Sequence, residues 1–189
     1  MLTHLVKSIN WVDVAFIALL VRMIFVGIQN GFISEFFKSI GITFAVFVSL
    51  HYYSVIAAQV IQKTHLNWPY WDLVIVVGLC LSVLGIFKLL RVGILILFKV
   101  ESNHEGFDKY SAGIVSIARG FLVCSLTIFM ILLMHSGFLT RMTMRSYSYK
   151  LVGHTAVSTY SYLYNNLVGK LFAIGPYNSN AAQVLVVHQ

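Results

Sequence analysis

Residues 71–90 read WDLVIVVGLCLSVLGIFKLL. Between Asp72 and Lys88 the run carries no charge. Wound as a helix at about 1.5 Å per residue, it reaches about 30 Å, the thickness of a bilayer's hydrocarbon core. Trp68, Pro69, Tyr70 and Trp71 stand at its start. Aromatic rings with a polar edge favour the headgroup level, and proline is tolerated in a first helical turn. The stretch therefore predicts a spanning helix that begins in an aromatic belt.

Three other runs have the same character. They cover Trp11 to Ile28, about Phe36 to Ile56, and about Gly120 to Leu139, the last preceded by a stretch from Tyr110. Composition agrees with them. Of 189 residues, 59% are apolar and 10% charged, and the mean hydropathy is +0.84. A soluble domain carries about 25% charged residues, and a chain this short has too much surface per unit volume to hide the excess apolar side chains. The expected fold class is an all-α polytopic membrane protein. Four transmembrane helices (about 11–28, 36–56, 71–90 and 120–139) form a domain over residues 1–140, with the lipid bilayer as its solvent and first partner. The first run holds Asp13 and Arg22 and is followed by no small-residue cleavage site, so it does not read as a signal peptide.

Thirteen basic residues stand against six acidic ones, a formal charge of +7. They lie beside and between the apolar runs rather than in one patch. Membrane topology and anionic headgroups account for them, and no nucleic-acid partner is expected. Cys80 and Cys124 fall inside apolar runs, where a thiol behaves as a small hydrophobe.

Beyond Leu139 the composition turns polar and aromatic. Residues 141–176 predict an amphipathic C-terminal helix region. From Thr155 to Ile174 one face carries Ala156, Tyr160, Leu163, Leu167, Leu171 and Ile174, and the other carries Ser158, Ser161, Asn165, Asn166 and Lys170. Such a helix is too polar to span and is expected to lie on the membrane or on the bundle, stopped by Gly175-Pro176. Residues 177–189 are expected to form a loose tail.

Several residues stand out within the spans. Gly27 and Gly31, four apart at the junction of the first two helices, suit a tight turn and a close helix approach. Arg22 and Glu35 are nearly equidistant from that junction. In a hairpin they would reach similar depth, where a charge needs a partner, so they form a candidate intramembrane ion pair; Glu35 with Lys38, three residues on, is the local alternative. Asp13 suits the N-terminus of the first helix as a cap or dipole complement. Gly78, Ser82 and Gly85 in the third run, and Ala112, Ser116, Gly120 and Cys124 in the fourth, are small-residue stripes of the kind that seat helices together. Lys88, Arg91 and Arg119 are expected at one common end of the spans. His51 is expected at the interface. No nucleophile motif, zinc motif, phosphate loop or dinucleotide fingerprint is present, so no catalytic residue, metal or cofactor is expected, and no enzymatic activity.

The opening Asn10-Trp11-Val12-Asp13, followed by Gly27-Ile28-Gln29-Asn30-Gly31-Phe32-Ile33-Ser34-Glu35, resembles the first hairpin of the colicin V production protein (CvpA) family. Ala112-Gly113 with Arg119-Gly120-Phe121 resembles the start of that family's fourth helix. The likeness covers about residues 10–140. Ile28, Gln29 and Asn30 stand where the family usually places basic residues. The resemblance implies a multi-pass protein of the bacterial inner (plasma) membrane with the 29–36 and 99–111 loops cytoplasmic. It implies a role in colicin V-type toxin production or export, or in envelope homeostasis, and no enzymatic activity. On that basis the expected function is a non-enzymatic scaffold, with a homo-oligomer and a secretion or envelope protein as partners. The other reading is an oligomeric channel or secondary transporter for a small solute or ion.

Overall fold

The structure, a computed structural model, describes residues 10–65, 68–98, 106–134, 136–168, 170 and 177–186. All regular structure among them is helical. Four long helices come first: α1 Trp11–Asn30, α2 Phe32–Thr64, α3 Trp71–Phe98 and α4 Gly106–Leu133. Each is long and apolar enough to cross a membrane. Short helices follow: α5 Gly137–Met144, α6 Tyr147–Val152, α7 Thr155–Leu163 with a π-helical turn Tyr164–Val168, and α8 Ser179–Val186.

The breaks follow local chemistry. Asn10 caps α1, its side chain accepting from Val12 N at 3.2 Å. Gly31 alone separates α1 from α2, at φ 76° and ψ 162°, a conformation that a side chain disfavours. The belt before α3 is a ring cluster, with Trp68 5.5 Å from Tyr70 and 5.6 Å from Trp71. α2, at 33 residues, is about 50 Å long and overreaches a bilayer core unless tilted.

The helices do not stack in chain order. α3 packs on α2, α2 on α4, and α4 on α1, whereas α1 and α2 touch each other little. α2 and α4 form the interior, and α1 and α3 flank them. The outer face of α1 shows Val14, Ile17, Val21, Phe25 and Ile28, spaced as one helical stripe, and α3 exposes Leu81, Ile86, Leu89 and Ile96. These stripes suit acyl chains.

The helix that carries the fourth expected span runs from Gly106 to Leu133, taking in the stretch from Tyr110 and ending before 139, and the helix that carries the second begins at Phe32. Sequence reasoning stops an apolar run at a charge. Here Glu35 and Arg119 are both buried, so neither ends its helix. Of the two small-residue stripes, that of α4 is buried, with Ala112, Ser116, Gly120 and Cys124 facing inward. That of α3 is not seated: nothing approaches Gly78 or Gly85, and Ser82 is exposed.

In the C-terminal part α5 and α6 occupy the polar connector, and the amphipathic helix expected from Thr155 is present as α7 with its π-helical turn, lying on the bundle. α7 packs on α2 and α4 with Ala156 and Tyr160 fully buried. Ser125 Oγ of α4 donates to Gly153 O at 3.0 Å and accepts from Ala156 N at 2.8 Å. His51 lies in this contact. It is buried, with Nδ1 3.1 Å from the Tyr160 hydroxyl. Asn178 N donates to that hydroxyl at 3.0 Å, and Asn178 Nδ2 to Leu50 O at 2.7 Å. Burial pushes the Tyr160 phenol up to about 12. Residues 177–186 are therefore not a loose tail: Ala181 of α8 is fully buried. The expected stop at Gly175-Pro176, and Leu171 and Ile174, lie outside the described residues, as does the side chain of Leu167.

The closest helix approach sets a prediction. A Cβ added at Gly27 would stand 2.5 Å from Ser116 Cβ. Gly27→Ala should force α1 off α4 and cost about 1–3 kcal/mol, whereas Gly78→Ala, into open space, should cost nothing measurable. Thermal unfolding in one detergent checks both.

Candidate functional site

Glu35 sits in the first turn of α2 and is fully buried. Its carboxylate collects donors from three helices. Arg119 Nη1 of α4 lies 2.7 Å from Oε2. The Ser116 hydroxyl is 3.0 Å from the same oxygen and 2.8 Å from the Ala112 carbonyl, and its one proton serves one acceptor at a time. Asn30 Nδ2, at the end of α1, reaches Oε1 at 3.3 Å, and Lys38 Nζ pairs with that oxygen too. Nearby, Asp108 of α4 accepts from Phe32 N at 3.1 Å, capping α2 where Gly31 has no side chain to do so. Arg91 Nη1 of α3 donates to Ser34 Oγ at 3.1 Å.

The pairing expected between Arg22 and Glu35 does not form. Arg22 is exposed, and Glu35 is held by Arg119, with Lys38 as local partner. The reason is topological. α1 and α2 leave the Gly31 turn without packing side by side, and α4 packs against both and presents Arg119. Gly27 is buried against Ser116, and Gly31 makes the turn. At Gly120 an added Cβ would meet the tip of Leu20 at 2.7 Å and Met23 Sδ at 3.7 Å.

Asp13 works at the opposite end of the bundle. The cap of α1 is Asn10, not Asp13. The Asp13 carboxylate instead accepts from Ser148 N at 2.8 Å, Ser148 Oγ at 2.6 Å and Tyr147 N at 3.2 Å, so it caps α6 across the fold. Asn10 adds a hydrogen bond to the Met142 carbonyl. Residues 12–14 and 147–148 are far apart in the chain, and nothing in the local sequence links them.

Beside the Glu35 cluster is a cavity of about 420 Å³ that all four long helices line. Met23, Phe37, Ile42, Leu84, Phe87 and Val123 form its apolar wall, and Lys38, Lys88, Arg91 and Arg119 its polar one. Gly41 lets Phe87 approach closely there. Lys88, Arg91 and Arg119 thus do share one end of the spans. Among the described residues no three of His, Cys, Asp and Glu gather as a metal site. The arrangement is a buried ionic tie next to a basic, amphipathic hollow.

Removing one member of the tie should be costly. Arg119→Met alone leaves the buried carboxylate with Lys38 as its remaining ionic partner and should lose about 2–3 kcal/mol, while Glu35→Leu with Arg119→Met should recover most of that. A double-mutant cycle on unfolding in detergent reads the coupling.

No curated protein and no solved structure matches the chain. A family model does: that described as colicin V production protein matches residues 12–157. The match spans the four long helices and runs into α7, so it includes Asp13, Glu35 and Arg119 as well as the Asp13–Ser148 contact. With four helices built to cross a membrane and most of its length matched by that model, the chain is a membrane protein of the colicin V production protein family.

Proposed function

We propose that this protein is a non-enzymatic scaffold of the bacterial inner membrane that supports the production or export of a colicin V-type toxin, or envelope homeostasis. One observation carries the reading. The two carboxylates that an ion-coupled carrier would be expected to use, Asp13 and Glu35, serve as fixed acceptors between helices. Glu35 holds α1, α2 and α4 together, and Asp13 holds α1 to the C-terminal helices. Such groups rigidify a platform. The outward stripes of α1 and α3 then offer apolar surface to lipid, to a second copy or to a secretion or envelope partner.

The second reading is a channel or secondary transporter, with the basic cavity as part of a solute path in an oligomer. It is favoured by that cavity being lined by all four helices.

Two measurements separate them. In a toxin-producing host deleted for its own family member, expression of this protein should restore released toxin. The purified protein in proteoliposomes should show no proton, chloride or small-solute flux above empty vesicles, and Glu35→Gln should behave as wild type there. Flux abolished by Glu35→Gln would sink the scaffold in favour of the transporter.

A further inference from the structure

We infer that the basic cavity is a binding site for the phosphate headgroup of an anionic phospholipid, entered from the bilayer between α1 and α3. Four cations line it, Lys38, Lys88, Arg91 and Arg119, against one buried carboxylate at its edge, Glu35. Among the described residues the wall keeps an excess of three positive charges (four less one). Two guanidinium nitrogens, Arg91 Nε and Arg119 Nε, are buried and have no hydrogen-bond partner. The Arg119 side chain is only 9% exposed. A buried, unpaired N–H on a charged group is costly, so both guanidinium groups keep unused donor capacity. Guanidinium groups suit phosphate oxygens because their donors are planar and forked.

Three features favour a lipid over a dissolved anion. The first is depth. Lys88 and Arg91 stand about 24 and 29 Å along α3 from Asp72, which puts them at the headgroup level of one leaflet. The second is the opening. α1 and α3 both line the cavity yet scarcely touch each other, and both are largely uncovered along their apolar length. The third is the wall itself, where Met23, Leu84, Phe87 and Val123 continue from the cations into apolar surface that an acyl chain can follow. A phosphate with attached chains satisfies both halves of the lining, and a bare anion satisfies one. The site stands whether the protein is a scaffold or a conduit.

The test is lipid retention by native mass spectrometry. The full chain, in zwitterionic phosphatidylcholine micelles, is titrated with phosphatidylglycerol. Wild type should keep phosphatidylglycerol in preference to phosphatidylcholine, and excess inorganic phosphate should not displace it. Lys88→Ala with Arg91→Ala spares the Glu35–Arg119 pair and should weaken retention roughly thirty-fold, about five-fold per cation removed from the anionic headgroup. Should that variant lose its helical circular dichroism, Lys88→Gln, at an exposed side chain, should still lose about five-fold. Equal retention of the two lipids overturns the site, as does a folded variant that retains phosphatidylglycerol like wild type. Displacement by inorganic phosphate overturns the lipid in favour of a free anion.

Discussion

The Glu35–Arg119 ion pair is the constraint on which the bundle depends. A lone carboxylate or guanidinium buried among these helices would favour whatever conformation lets it reach water. Paired at 2.7 Å and supported by Lys38, Ser116 and Asn30, the two charges become a fastener between α2 and α4, with the end of α1 drawn in through Asn30. In lipid there is little hydrophobic force between helices, because acyl chains are as apolar as leucine. Specific polar contacts and close packing must therefore choose the arrangement. The buried Ala112, Ser116, Gly120 and Cys124 stripe supplies the packing, and the ion pair fixes its register.

The two ends of the bundle use one device twice. At each, a carboxylate of one helix caps the N-terminus of another that lies far away in the chain. Asp108 of α4 holds the first amide of α2, and Asp13 of α1 holds the first two amides of α6. Unsatisfied helix-end amides are expensive where water is scarce, so these contacts set where α2 and α6 begin. The C-terminal helices are bound by the same logic through Ser125, Tyr160, His51 and Asn178. Of the two places expected for the amphipathic helix, membrane surface or bundle, it takes the bundle.

The cavity gains its character from this frame. Arg119 lines the hollow while committed to Glu35 through one end nitrogen, and its Nε is buried without a hydrogen-bond partner. Arg91 is likewise held through Ser34 with its Nε unpaired. The frame thus positions cations that would otherwise extend to the aqueous phase on their flexible stems.

The amino-acid sequence by itself determined the number of spanning helices, the aromatic belt before α3, the turn at Gly31 and the family. These depend on hydropathy and on local residue chemistry, which survive reading one segment at a time. It also marked Glu35 and Arg119, and it offered Glu35 two partners, Arg22 across the turn and Lys38 one turn on; the structure keeps Lys38 and adds Arg119. Only the tertiary structure decided that α4 packs between the first two helices, that the two charges lie inside their spans, and that Asp13 caps a helix more than a hundred residues away. A charge's partner and an amide's acceptor are set by which helices meet in space. In a bilayer that choice turns on a few small residues and polar contacts rather than on the apolar pattern itself.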